Sequence, residues 1–587
     1  MCGIVACVSN HCATILLEGL SQLKNRGYDS AGMATLTDKI RLDKFAGKDA
    51  YTQLMSQRHY HVQSTLGIAH TRWATHGAKT DANAHPHLSM CGKFAMVHNG
   101  ILENYSALKT FLEEKGFIFT SQTDSEVIAH LVSFYAQTQP ILVCIQTLNQ
   151  VLQGSWAIAI LCVQTQALYC TGSPLLIGYN EDQVLIVSEK SGFCQNITHY
   201  FVLNPKDICK IDQHRTITTL DTYPIQKLTQ EKALHLVSYP HWTLKEIHEQ
   251  PASALRAMEG RVYPDFVYLQ EFLTDLEDLL SIDHLILLGC GSSYFAGQHG
   301  VFFLKELCDF TTVQLFEGAE FCAQDIPKKG KTALLLLSQS GETKDLHRCI
   351  ALGREHGLKL LGLINVEDSW IAREVDCVCY VKAGREVGVA STKSYTSQVI
   401  CLSLIALWFA QQKQLNPSTR TQYLEDLHKL SQDIQRTLHL NPMEPLVTLF
   451  QDKEHCFVLG KGKAESVAKE GALKIKEISY VHSEGYSTSS LKHGPFSLLD
   501  DHFPVLLIDS TKAENAYQEI KTRHAPIVWI SPKDRSEDPF VLRIQENQTF
   551  GDLLAIIPLQ LLAYHLSVAR GIDPDYPKNL AKVVTVD

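Results

Sequence analysis

The 587-residue sequence has no CxxC pair, no Walker-type phosphate loop and no excess of positive charge. A net charge of −10 and a pI near 6.2 argue against a nucleic-acid or anionic-membrane surface. Any phosphate site must then be local, built from backbone amides and a few side chains. The 17 cysteines are odd in number and scattered, so they read as reduced thiols in a cytoplasmic protein. Cys377 and Cys379 would share one face of a strand. Asn10 and His11 interrupt the early apolar residues and no basic leader precedes them, so no secretory signal is expected. The longest apolar stretches are 399–410 and 553–569. The first is too short to span a bilayer and the second contains Pro558, Gln560 and His565, so both predict buried helices of a soluble core. His85-Pro86-His87 has no complementary Cys/His/Asp set, and no metal is expected.

What is present points to several domains. The chain is too long for one core, and its 45% hydrophobic and 20% charged residues suit a globular protein. Up to about residue 225, short apolar runs such as Phe94-Ala95-Met96-Val97 and Trp156-Ala157-Ile158-Ala159-Ile160 predict strands. Leu108 to Lys115 and Ser125 to Tyr135 have helical spacing, with capping residues in Thr123-Asp124-Ser125-Glu126. A layered α/β sandwich fits this mixture. Residues 226–250 have little pattern and read as a linker or docking segment. Beyond them, buried strands alternate with long helices: His284 to Leu288, Ala333 to Leu337 and Lys359 to Ile364, then Cys456 to Gly460, Pro504 to Ile508 and Pro526 to Ile530. This series predicts two parallel-sheet domains in a loose repeat, with ligands at the carboxyl ends of the strands.

Several motifs carry chemistry. Ser338-Gln339-Ser340-Gly341-Glu342-Thr343 ends an apolar strand with three hydroxyls and a glycine before a helix, as an anion-binding nest requires. An ordinary N-cap would need only one of those hydroxyls. Gly289-Cys290-Gly291-Ser292-Ser293 lacks the third glycine of a dinucleotide fingerprint, because Tyr294 occupies its place; it reads as a sugar-phosphate loop. Glu470, Lys474 and Glu477 share one helix face. The bland alternative for them is a solvated ion pair. Leu491-Lys492-His493-Gly494-Pro495 adds an imidazole in a tight loop. Lys582 lies in an otherwise uncharged tail, where it either snorkels or forms a Schiff base. Arg26 and Arg72 lie among small residues, suited to holding a carboxylate, and Asn99-Gly100 is a candidate oxyanion hole.

Met1 precedes Cys2. Its removal would leave a thiol and an α-amine on one residue. An α-amine titrates near ~7.7–8.0 and a free thiol near ~8.5, so a neutral amine can take the thiol proton, as in N-terminal-nucleophile enzymes. Alone, this feature is equally that of a cysteine that happens to lie near a chain start.

Together these residues resemble the isomerising glutamine–fructose-6-phosphate aminotransferases. The matching motifs are CGIV at Cys2, HTRWATHG, NAHPH, VHNG, SQSGET, GVASTK, EGALKIKEISY, LKHGP and NLAKVVTV. The resemblance implies an αββα N-terminal-nucleophile glutaminase domain over 1–225, a linker over 226–250, sugar-isomerase domains with parallel sheets over 251–440 and 441–578, and a catalytic tail over 579–587. It implies Cys2 as nucleophile, with Asn99 and Gly100 as oxyanion hole. Arg72, Thr75, His76, Gly100 and Asp124 would hold glutamine, and Trp73 resembles a residue that gates ammonia passage. Ser293, Ser338, Gln339, Ser340 and Thr343 would hold the sugar phosphate, with further contacts from Val389, Ser391 and Ala581. Lys582 would form the imine, Glu477 would move the isomerisation proton and His493 would open the ring. Glu470 and Lys474 would complete that catalytic face. The substrates implied are L-glutamine and D-fructose 6-phosphate, without cofactor or metal. His493 would serve a neighbouring subunit, so a homodimer or larger oligomer is expected.

The sequence departs from the family pattern at Thr171, at Glu189 after Ser188, at Ser490, and in a slightly shortened stretch at 137–146. Two rival readings are a glutaminase serving another acceptor, as in phosphoribosyl or aspartyl amidotransferases, and a sugar-phosphate-sensing regulator. The first would need a pyrophosphate-leaving or ATP site, and no P-loop is found. The second would leave Cys2, Glu477 and Lys582 without a role.

Overall fold

The structure is a computed structural model and describes residues 2–73, 77–194, 197–228, 236–510, 513–533, 535 and 540–583. By its contacts the chain forms two units, Met1–His235 with Ala581–Asp587, and Leu236–Leu580.

In the first unit the strand Gly3–Val8 is buried throughout and divides its side chains between two cores. Ile4, Ala6 and Val8 face the interior between two sheets, whereas Val5 and Cys7 meet the helix Cys12–Gln22 outside. This is the period-two alternation of a strand covered on both faces. Leu66–Arg72 and Val184–Val187 flank it, both antiparallel, in an eight-stranded sheet. A five-stranded sheet pairs Phe94–Leu102 with Gly154–Cys162 and is covered outside by Tyr105–Glu114, Ser125–Tyr135 and Ile141–Val151. The layers run helix, sheet, sheet, helix. Gly3 pairs with Thr71, and that register sets Cys2 beside Arg72 and Trp73.

The second unit contains two parallel five-stranded sheets. In space the first runs Thr312–Glu317, His284–Gly289, Thr332–Ser338, Lys359–Ile364, Cys377–Tyr380. The other runs His482–Ser487, His455–Gly460, Val505–Ile508, Ile527–Ser531, Val541–Arg543. Both orders are 2-1-3-4-5 in chain sequence, so the switch point lies between the first and third strands, where such sheets bind ligands. In the first sheet the two loops that leave this point are 289–293 and 338–343, the two singled out in the sequence.

One apolar core runs through both of these sheets and the helices between them. Lys393–Gln412 is buried on every side from Lys393 to Ala410, with most of its polar residues in the first two turns and a largely apolar run over 399–410. Gly551–Ala569 has the length and apolarity of a membrane span, but 78% of that window is buried inside the protein. Its Gln560 accepts a hydrogen bond from Gln250 at 2.8 Å, which satisfies a polar group in that core.

Two stretches gain detail that their sequence did not show. The patternless stretch 226–250 carries a helix, Trp242–His248, and a second helix starts at Gln250; residues 229–235 lie outside the described residues. The Asp124 carboxylate does not cap its own helix. It accepts instead from the Leu102 amide at 3.0 Å, and Thr123 Oγ1 takes the Glu126 amide at 3.4 Å.

Candidate active site

Cys2 is half-buried, and its sulfur accepts a hydrogen bond from the Trp73 amide at 3.3 Å. Burial pushes the thiol pKa up, while the chain-terminal ammonium, the Trp73 amide and the Arg72 charge pull it down. A neutral thiol that needs a nearby base follows from this balance. Asn99 Nδ2 donates to the Cys2 carbonyl at 2.8 Å, and Asn99 Oδ1 lies 3.0 Å from His70 Nε2. The imidazole thus fixes which way the Asn99 amide points. His70 stacks on His85 at 4.2 Å, and burial holds its pKa down at about 3, so the ring is neutral. Gly100 has φ +135°, and a Cβ there would lie 2.0 Å from the Ser155 carbonyl oxygen. Only glycine fits this strand position, next to Asn99.

Arg72 and two carboxylates interact electrostatically with Cys2 or with one another. Arg72 is buried and within electrostatic range of Cys2, Asp29 and Asp124. Asp124 Oδ1 accepts from Ser125 Oγ at 3.2 Å, and His98 Nδ1 lies 2.9 Å from that hydroxyl. The loop before Asp124 hangs on buried Glu126, which accepts from the amides and hydroxyls of Thr120 and Ser121. Burial alone would raise the Glu126 pKa, but the donors from His130, Ser121 and Thr120 hold it far below the usual carboxylate range. Thr75 and His76 lie outside the described residues.

Two departures from the family pattern have structural uses. Thr171 is buried and exchanges hydrogen bonds with Asn149 at 2.9 and 3.1 Å. Glu189 forms a 2.6 Å ion pair with buried Arg26, and Ser188 Oγ accepts from the Ile4 amide at 3.0 Å.

In the second unit, Ser338, Ser340 and Ser293 are buried at the strand ends. Ser338 Oγ lies 3.0 Å from Thr343 Oγ1. The nest expectation needs a correction here: the Gly341 and Glu342 amides donate to Ser338 Oγ at 2.9 Å and Ser340 Oγ at 3.1 Å, so these hydroxyls occupy two of its amides. Gly341 has φ +66°, and a Cβ there would lie 1.8 Å from Ser369 Oγ, which fixes a bare backbone at the loop apex. Gln398 Nε2 donates to Ser293 Oγ at 3.1 Å. Gln339 and Ser391 are half-buried and Val389 is buried.

Glu470, Lys474 and Glu477 are not a solvated face. On the helix Lys463–Ser479, Glu470 is 0% and Lys474 1% exposed. Lys474 Nζ lies 2.5 Å from Glu477 and 3.5 Å from Glu470, and it donates to Ser292 Oγ at 3.1 Å. Ser292 starts the helix after the first sugar loop, so the cluster joins both parallel-sheet halves. Burial pushes Glu470 up to about 8, which keeps it protonated at neutral pH. Burial would lower Lys474, but its two carboxylate neighbours more than offset that and raise it. The cluster thus sets the Lys474 ammonium between Glu477 and a Glu470 carboxyl whose pKa is raised, an arrangement that can pass a proton.

His493 is exposed at the end of the turn Ser490–His493, before Gly494 with φ +139°. Ala581 and Lys582 group with the first unit. Sequence reasoning missed His70 and His98, whose signal was their place inside HTRWATHG and VHNG. It also missed Ser292 as a Lys474 partner and Tyr395, whose buried hydroxyl lies within electrostatic range of Glu470; neither had a local signal. Among the described residues, no group of three His, Cys, Asp or Glu side chains could hold a metal ion.

A layered sandwich with an N-terminal thiol, followed by two 2-1-3-4-5 sheets, defines a glutamine amidotransferase joined to sugar-isomerase domains. Family comparisons agree: a glutamine amidotransferase domain matches residues 70–195, and the SIS domain matches 278–408 and 449–570. The chain belongs to the isomerising glutamine–fructose-6-phosphate aminotransferases. It is 42% identical, over the whole of both chains, to a probable glutamine–fructose-6-phosphate aminotransferase of Acanthamoeba polyphaga mimivirus. It is 35% identical, again end to end, to the enzyme of that name from Bacteroides thetaiotaomicron. The solved C-terminal domain of glucosamine-fructose-6-phosphate aminotransferase from Francisella tularensis covers 59% of this chain and all of its own, with 28% identity and a TM-score of 0.55.

Proposed function

We propose that the protein converts D-fructose 6-phosphate and L-glutamine to D-glucosamine 6-phosphate and glutamate, the entry step to amino-sugar synthesis. The observation that carries this reading is the presence, in one chain matched end to end, of an Asn99-flanked thiol and the buried Glu470–Lys474–Glu477 cluster.

Cys2, freed of Met1, loses its thiol proton to its own amine and attacks the glutamine side-chain amide. Asn99 Nδ2 and the Gly100 amide stabilise the oxyanion. The C–N bond breaks, the amine proton leaves with ammonia, and water hydrolyses the γ-glutamyl thioester to glutamate. Arg72, Thr75 and His76 hold the amino acid, Asp124 reads its α-ammonium, and Trp73 gates the ammonia. In the second reaction Ser293, Ser338, Gln339, Ser340 and Thr343 hold the sugar phosphate, with Val389, Ser391 and Ala581 lining the sugar. His493, from a neighbouring subunit of a homo-oligomer, opens the ring, and Lys582 forms the imine at carbon 2. Ammonia replaces the lysine, and Glu477 moves a proton from carbon 1 to carbon 2 with Lys474 beside it. The chain's residues suffice for these steps without a cofactor. A cytoplasmic location fits this reading, and the free cysteines support it.

The test is Cys2→Ala. Aminosugar formation from glutamine should vanish, while formation from added ammonia persists. Synthesis that continued with glutamine as sole nitrogen source would refute the nucleophile.

A further inference from the structure

The helix Trp242–His248, in the stretch the sequence reads as a linker or docking segment, is tied to two segments far from it in the chain. At its N-terminus the Asp575 carboxylate takes three hydrogen bonds: from the Trp242 amide, the Thr243 amide and Thr243 Oγ1, each at 2.8 Å. His241 Nδ1 lies 2.9 Å from the Tyr564 hydroxyl. One turn on, Glu246 is 1% exposed and accepts from the Val387 and Gly388 amides. A Cβ on Gly388 would come within 3.0 Å of Thr243 Oγ1 and 3.1 Å of Glu246 Oε2, so this loop lies directly on the helix. The other end of the loop is held by Glu386, which accepts from the Thr392 and Ser394 amides and from Ser394 Oγ. The Val389 amide reaches the Asp575 carbonyl at 3.4 Å, which closes a ring of helix, loop and pre-tail segment.

We propose that this helix is a strut that positions both the sugar-contacting loop 387–391 and the root of the C-terminal tail, with Glu246 and the Thr243–Asp575 pair as positioning residues. The inference rests on the proposed function for the identity of the sugar, and none of the three residues touches the reacting atoms. Hydrogen bonds from amides to a buried carboxylate are strong, and removing the acceptor leaves buried donors unpaired. Val387 and Gly388 immediately precede Val389, so loss of Glu246 displaces a sugar contact. Asp575 lies seven residues before Lys582, so loss of its carboxylate loosens the lysine's approach without altering the phosphate loops.

The experiment uses the full-length protein and the variants Glu246→Ala, Glu246→Gln, Gly388→Ala and Asp575→Asn. Fructose 6-phosphate binding is measured by calorimetry, kcat and KM by aminosugar formation, and glutamine hydrolysis separately. Glu246→Ala should weaken fructose 6-phosphate binding and raise its KM about tenfold or more, with kcat within about twofold. Glu246→Gln, which keeps one acceptor, should fall between wild type and Glu246→Ala. Asp575→Asn should show the reverse split, a kcat lowered about tenfold with KM nearly unchanged. Gly388→Ala reproduces the Glu246 effect if Glu246→Ala does not fold. Unchanged binding in Glu246→Ala or Gly388→Ala, or a fall in glutamine hydrolysis that tracks the sugar effect, would overturn the strut. A wild-type protein that binds fructose 6-phosphate but makes no aminosugar would sink the functional reading, while the binding arm still decides the strut.

Discussion

Cys2 and Glu470 are both governed by burial, which favours the protonated form of each. Burial raises the Cys2 thiol, and in the proposed reaction its own amine, freed by loss of Met1, takes the proton. Purified protein treated with a glutamine-mimicking electrophile should therefore lack Met1 and carry one label, on Cys2, by mass spectrometry. Glu470, pushed up to about 8, keeps its proton where an unfolded carboxyl near ~4.3 has lost it. Between those values the folded state binds the extra proton, so this group makes stability fall as pH rises. Glu470→Gln should remove that decline and gain on wild type between about pH 4.3 and about pH 8 in urea unfolding; parallel curves would contradict it. Gly100→Ala should lose glutamine hydrolysis, because the added carbon meets the Ser155 oxygen. Residues such as Cys2 and Asn99 were legible because their chemistry is local to a motif. The neutral state of Glu470 was not, because its spacing to Lys474 is equally that of a surface pair.

Elements were legible where apolar runs were long enough to show a period. Lys359–Ile364 spans the residues its sequence predicts, and Ser125–Tyr135 likewise. Trp242–His248 was missed because a seven-residue helix has no periodicity to read and is held by tertiary partners. The loop carrying Asp124 is a similar case, since Glu126 acts backwards on Thr120 and Ser121 rather than as a helix cap. Glu126→Gln should destabilise the first unit by about 2 kcal/mol at neutral pH, since it removes a charged acceptor of several bonds. Its depressed folded pKa means that wild-type stability is present above the unfolded carboxylate value and is lost as the pH falls through the folded one. The variant should lack that acid-sensitive component and raise the glutamine KM through Asp124.

At the scale of the molecule, alternation of strand and helix gave two parallel sheets, and the shared 2-1-3-4-5 order explains why two loops flank one switch point. What the sequence could not reveal is that Lys474, from one sheet's helix, reaches Ser292 beside the other sheet's loop; such a contact has no local pattern. Lys474→Met should abolish aminosugar formation yet leave glutamine hydrolysis by the first unit intact, whereas equal loss of both would argue that the cluster only supports folding. The most direct test of the whole account is to supply glutamine labelled with nitrogen-15 at the side-chain amide, together with fructose 6-phosphate and unlabelled ammonium. The account predicts glucosamine 6-phosphate carrying the heavy nitrogen in step with glutamate release. Glutamate formed alongside an unlabelled aminosugar, or with no aminosugar at all, would contradict it.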